Sequence, residues 1–440
     1  MLLPVTVRAE INNLYEGEVG LAASFLVKGQ QRLTGKITIN GAKNSALALL
    51  PAALLTEDKV KLDNLPCITD IDKLLDIIRS LGASVDSPGD RCLCIDGGNV
   101  DRFSPPDTLV NQLRASYYLM GSLLGRFGRA EIPLPGGCDL GPRPIDQHIK
   151  GFSAMGAKVE MEHGFIKLTA GELRGANIYL DVVSVGATIN IMLAAVKAEG
   201  RTVIENAARE PEIVDVANFL NGMGAQIRGA GTDVIKIQGV KNLHAVEHSV
   251  IPDRIEAGTF MIAAAATNGE VMVEGVIPRH LEPVSAKLKE VGVTVEAGPD
   301  FLSVKGADLL LPCDVKTFPY PGFPTDLQPH MMVLLLKAPG VSLVTENIFE
   351  RRFGHIDELR KMGARITLEG RTAIIEGGHN LTSASLRAMD LRGGAAFIIA
   401  GLMAAGDTVI SNVKYIDRGY ERIEERFQDV GVTVERMEDC

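Results

Sequence analysis

Hydrophobic and polar positions along this 440-residue chain fall into one pattern that returns six times. A stretch with helical spacing ends on a large apolar residue, then glycine, then Ala or Val, after which apolar and polar positions alternate. The instances are Leu81-Gly82-Ala83, Met155-Gly156-Ala157, Met223-Gly224-Ala225, Val291-Gly292-Val293, Met362-Gly363-Ala364 and Val430-Gly431-Val432, with glycines 68 to 74 residues apart. Glycine just past a helix is the expected left-handed cap, and the period of two after it predicts a strand. In the same frame an Ala/Leu-rich helix runs through a short turn into a strand, as from Ala198 into Thr202–Asn206 and from Ala405 into Thr408–Asn412. Each unit therefore predicts two helices and about four short strands. Solenoid repeats usually run to about 20–50 residues, so units near 70 favour two closed three-unit α/β domains over an open array. A cleft between domains is a usual place for a ligand.

Composition narrows the class without changing this picture. Hydrophobic residues make up 46% and charged residues 23%, the balance of a soluble globular protein. A net charge of −10 argues against nucleic acid as the main partner, while leaving room for a few arginines focused on a small anion. The start, Met1 to Glu10, lacks a basic segment followed by an apolar core, so no signal peptide is expected. Apolar runs such as Phe397–Ala405 are far too short to span a membrane. Six scattered cysteines suggest reduced thiols in a cytoplasm rather than a disulfide framework, with Cys92 and Cys94 packing on one side of a strand.

Candidate chemistry lies between the repeats. Leu134 to Pro144 mixes glycine and proline too densely for helix or central strand, so it predicts an exposed loop with Cys138 at its tip and Arg143 five residues on. A neighbouring guanidinium can lower a thiol pKa from about 8.5 toward neutrality; an incidental surface cysteine fits the same composition. Lys43-Asn44 follows a strand-like segment and opens a helix, where backbone N–H groups can hold an anion or simply begin an ordinary helix. Arg114 and Arg392 stand just before two further apolar helices, where the helix dipole disfavours a cation, so three such cations suggest one shared anion. Thr325-Asp326 precedes the run Met331–Leu336, where either residue could cap the helix or Asp326 could take a proton. His244 to His248 formally matches an H-x-x-E-H zinc pattern but reads as an inter-domain linker leading into Val250-Ile251-Pro252.

Taken in order, Lys43-Asn44, Pro135 to Cys138, Arg143 to Asp146, Ser184 to Thr188, Asn206 to Glu212, Ile251 to Arg254, Thr325-Asp326, Asp390 to Arg392 and Ile416 to Arg422 resemble the UDP-N-acetylglucosamine 1-carboxyvinyltransferase family. The resemblance covers about residues 25–440 and implies two inside-out α/β barrel domains of three repeats each. With the repeat count, it places residues 25–42 plus 253–440 in one domain and 43–252, with the Cys138 loop, in the other. Residues 1–24 would be an N-terminal extension. Val182 stands where the family carries a basic residue, and Gly393-Gly394 follow Arg392 in the manner of its Gram-positive branch.

The resemblance further implies transfer of enolpyruvate from phosphoenolpyruvate to the 3′-hydroxyl of UDP-N-acetylglucosamine, with release of phosphate. It makes Cys138 the general acid and Asp326 the acceptor of the hydroxyl proton, with Lys43 and Arg392 beside them. Phosphoenolpyruvate falls to Lys43, Asn44, Arg114, Arg143 and Arg392. The sugar nucleotide falls to Asn44, Arg114, Arg143, Pro144, Ile145, Asp146, Gln147, Ser184, Val185, Gly186, Asp326 and Ile348. No metal, cofactor, nucleic acid or membrane is implied, and the oligomeric state stays open. The rivals are shikimate 3-phosphate enolpyruvyl transfer and a non-catalytic sugar-nucleotide-binding relative.

Overall fold

The computed structural model describes residues 23–134 and 145–438. Cys138, Arg143 and Pro144 lie outside the described residues, as do residues 1–22. Ser24, assigned above to the extension, already opens the strand Ser24–Val27, paired with Thr408–Ser411 and Val434–Met437.

Among the described residues the strands form six sheets, five of four strands and one of three. Their common plan appears in Glu270–Glu274, which runs antiparallel to Phe301–Lys305 and parallel to Thr34–Thr38. The six repeat glycines, at 82, 156, 224, 292, 363 and 431, all adopt positive φ, from 83° to 107°. A side chain is strained there, which is why glycine recurs at the helix-to-strand turn.

Two kinds of helix separate by their patterning. Thr69–Ser80 is amphipathic, burying Ile71, Leu74, Leu75, Ile77 and Ile78 and turning its other face outward. Leu391–Met403 is apolar all round and buried from Arg392 to Leu402. A helix of the second kind must lie inside the protein. Lys43–Ala52, Tyr118–Phe127 and Val185–Ala195 form the interior of one half; Arg254–Ala266, Gln328–Leu335 and Leu391–Met403 form that of the other. The backbones approach closely: a Cβ built on Gly121 would lie 2.4 Å from the Asn190 carbonyl oxygen. With helices inside and sheets outside, each half is an inside-out α/β barrel.

Buried apolar side chains form two cores, one from Phe25–Ile39 with Ile255–Val434, the other from Ala42–Val250. The chain crosses between them twice, side by side, where Gly41 bridges Pro252 and the Asp253 N–H donates to the Asn40 carbonyl at 2.8 Å. The segment read as a linker at 244–248 is placed differently. Glu247–Ser249 is a strand running parallel to Lys59–Asp63, and His248 Nε2 meets Asp215 Oδ1 at 2.8 Å. Partner strand and partner carboxylate are both remote in sequence, so local pattern did not reveal the pairing. The four described cysteines, Cys67, Cys92, Cys94 and Cys313, are free thiols.

Candidate active site

A cavity of about 590 Å³ opens between the two cores. Its floor is built where internal helices begin. Lys43 and Asn44 open Lys43–Ala52, and Arg392 is the second residue of Leu391–Met403. Arg392 therefore stands inside its helix, not before it, and Asp390 caps that helix by accepting from the Arg392 and Gly393 N–H groups at 2.9 and 3.0 Å. Arg114 begins a 3₁₀ turn, Arg114–Tyr117, leading into Tyr118–Phe127, and its guanidinium lies 5.6 Å from the Tyr117 ring centroid. On the opposite side, Ser184 caps Val185–Ala195 through the Ala187 N–H at 3.2 Å.

Asp326 departs from one reading of its sequence. Neither it nor Thr325 caps the following helix. Thr325 instead donates to Glu346 at 2.9 Å, and Asp326 is gripped by Arg352 at 2.8 Å and Arg392 at 3.2 Å. Burial opposes ionisation of Asp326, but Arg392 and Arg352 outweigh it and hold the carboxyl well below the usual carboxylate range. The Tyr420 ring backs Arg392, 5.3 Å from its guanidinium.

A second ion cluster faces this one. Lys43 Nζ lies 2.7 Å from Asp70, whose other oxygen takes Arg418 Nε at 2.9 Å. Desolvation lowers the Lys43 pKa; Asp70 works against that, and Arg392 and Arg418 add to it. Arg254 and Glu212 form a third pair at 3.1 Å. In the wall, the Asn190 amide donates to His148 Nδ1 at 2.9 Å, leaving the ring proton on Nε2. Burial, helped by Arg114, pushes the His148 pKa down to about 4, so the ring is neutral.

The cavity gathers Lys43, Asn44, Arg114, Asp146, Gln147, Ser184, Val185, Gly186, Asp326, Ile348 and Arg392 from the sequence-based set. Ile145 does not line it and packs in the core instead, 9% exposed. Cys138, Arg143 and Pro144 fall outside the described residues. Val182 is 58% exposed at the rim. The sequence reading did not single out Asp70, Glu212, Arg254, Arg352 and Arg418, all of which line the cavity. Glu212, Arg254 and Arg418 stood inside family-like motifs, which was signal enough to include them; Asp70 and Arg352 carried none. Chemically, the arrangement offers clustered cations for a polyanion, with carboxylates beside them.

Comparison with known proteins defines the class first. A family model described as EPSP synthase (3-phosphoshikimate 1-carboxyvinyltransferase) matches residues 27–427. The enolpyruvyl transferase NikO from Streptomyces tendae superposes with a TM-score of 0.86 at 26% identity, over 96% of this chain and all of that one. EPSP synthase from Acinetobacter baumannii, at 21% identity and a TM-score of 0.73 over 94% of this chain and all of that one, shares the fold. Curated relatives are closer in sequence. UDP-N-acetylglucosamine 1-carboxyvinyltransferase 2 of Geobacillus kaustophilus is 58% identical over 413 residues, 93% of this chain and 96% of that protein. UDP-N-acetylglucosamine 1-carboxyvinyltransferase 3 of Caldanaerobacter subterraneus subsp. tengcongensis is 55% identical over 415 residues, 94% of this chain and 99% of that protein. The chain belongs to the EPSP synthase family and, within it, to the UDP-N-acetylglucosamine 1-carboxyvinyltransferases.

Proposed function

We infer that this chain transfers the enolpyruvyl group of phosphoenolpyruvate to the 3′-hydroxyl of UDP-N-acetylglucosamine and releases phosphate, the step that opens peptidoglycan synthesis. The observation that carries this is identity of 55–58% to curated transferases of that name over nearly the whole chain. The cavity's chemistry supports it. Phosphoenolpyruvate brings a carboxylate and a phosphate, and fixed cations stabilise such charge more than water does. Lys43, Arg114 and Arg392 line the cavity, and Arg143 joins them in this reading.

The reaction is addition followed by elimination. Cys138 delivers a proton to the enol CH₂, the 3′-hydroxyl oxygen attacks the adjacent carbon, and the resulting ketal loses phosphate as its new methyl group returns a proton to the Cys138 thiolate and the C=C bond re-forms. Asp326 receives the hydroxyl proton. Paired with Arg352 and Arg392 it is a weak base, because they hold it as a carboxylate. The donor's anionic groups compete for the same guanidiniums, so donor binding raises the basicity of Asp326 when it is needed. The nucleotide lies along Asp146, Gln147, Ser184, Val185, Gly186 and the exposed Ile348, with Asn44 toward the sugar. The two cores, residues 25–42 plus 253–440 and 43–252, act as domains on either side. We place the reaction in the cytoplasm, without metal or cofactor; among the described residues no helix is long and apolar enough to cross a membrane.

Shikimate 3-phosphate is the competing acceptor, favoured only by the description of the family model. Phosphate release measured with each acceptor in turn separates the two readings.

A further inference from the structure

Asp70 is 1% exposed in the first turn of Thr69–Ser80, yet its carboxylate reaches the cavity. It is shared between two cations from different cores, Lys43 at 2.7 Å and Arg418 at 2.9 Å, with a second contact from Arg418 Nη2 at 3.4 Å. A neighbouring tie draws the same surfaces together: the Thr69 N–H and hydroxyl both donate to the Asp417 carbonyl, each at 3.3 Å. A surface ion pair would contribute little. A buried carboxylate between two cations is different, because removing its charge leaves both uncompensated.

We propose that Asp70 is a positioning residue for the donor: its carboxylate fixes Lys43 and Arg418 side by side across the two cores, so that both meet the anionic groups of phosphoenolpyruvate together. The inference rests on the transfer activity proposed above and adds a residue to it. Asp70 touches no reacting atom and works through the two cations.

The surroundings of Lys43 give this role a signature. Arg392 and Arg418 face its ammonium from the other core, Asp70 is its facing carboxylate, and the Asp253 carboxylate accepts its backbone N–H at 3.1 Å. Its stem passes Gly419, where a built Cβ would come within 3.1 Å of Lys43 Cδ. Burial and the two arginines drive the ammonium toward neutrality, and Asp70 opposes them. Without that charge Lys43 loses its proton at lower pH and stops binding anions there.

The test is Asp70→Asn in the full-length protein, with kcat/KM for phosphoenolpyruvate measured across pH by phosphate release. The expected result is a loss of about 10–100-fold that deepens as pH rises, an alkaline limb moved toward lower pH, and a KM for the sugar nucleotide changed by less than about threefold. In a Lys43→Arg background the same change should leave the limb where it was, because a guanidinium keeps its proton. Sulfate binding followed by calorimetry gives a readout independent of turnover. It should hold steady through neutral pH in the parent and fade with rising pH in Asp70→Asn. An Asp70→Asn profile superimposable on an active parent overturns the proposal. So does a limb still shifted in the Lys43→Arg background, or a parent that loses sulfate through neutrality, which needs no variant to fold. A parent that releases no phosphate instead sinks the transfer reading, whatever sulfate does.

Discussion

In the proposed reaction Arg392 has two partners, Asp326, which it holds at 3.2 Å, and the donor. Truncating it removes a charged partner from both, and Arg392→Ala should cost about 10²–10³ in the rate of phosphate release. A variant turning over near the parental rate would remove Arg392 from the donor site. Cys138 allows a sharper comparison because the task proposed for it, general acid, is defined by acidity. Cys138→Asp should keep activity and escape alkylation by an epoxide such as fosfomycin, since a carboxylic acid also delivers a proton. Cys138→Ser should lose about 10²–10⁴-fold, a hydroxyl being too weak an acid near neutral pH. Equal turnover of the serine variant and the parent, measured side by side, would place the acid elsewhere.

Elements position these residues through tight packing of internal helices. Gly121 on Tyr118–Phe127 lets that helix close on Val185–Ala195, and its N–H donates to the Asn190 side chain at 2.9 Å. The added methyl of Gly121→Ala would meet the Asn190 carbonyl, so that variant should be less stable by about 1–3 kcal/mol. Denaturant unfolding reads the difference, and a parental midpoint would show that the helices have room. The repeating elements were legible in the sequence because their signals are local: a capping glycine, an alternating strand, an apolar run. What sequence could not show was pairing at a distance. Asp70 looks like an ordinary first-turn acid, favourable to the helix dipole, and its partner Arg418 lies 348 residues away. Asp326 looked like a cap for the same reason, while Arg392, one of the two arginines that hold it, comes from the next unit, 66 residues away. The strand at Glu247–Ser249 was read as a linker because its partner belongs to the first repeat.

At the scale of the whole molecule, three neutral histidines are buried around the cleft and in the adjoining core. Burial pushes His148 and His355 down to about 4, and His330 goes well below its ordinary value. The unfolded chain, with ordinary histidines near 6.5, binds more protons than the folded one between those values, so stability rises with pH there. Stability from these groups is intact above about pH 6.5 and is lost as pH falls toward about 4. Calorimetry should therefore find a lower midpoint at pH 5 than at pH 7.5; equal midpoints would mean the histidines are not buried neutral. The fold class was readable, and eleven of the residues named from sequence line the cavity, because family-like motifs cluster at the starts of internal helices, where six units face one cleft. The transfer itself is open to one experiment: the purified protein is incubated with phosphoenolpyruvate and each acceptor, and phosphate and the position of the new ether are followed by NMR. Phosphate release with UDP-N-acetylglucosamine and an enolpyruvyl ether on its 3′-oxygen are expected, with none on shikimate 3-phosphate; the reverse preference, or no ether on either acceptor, would overturn the transfer to UDP-N-acetylglucosamine.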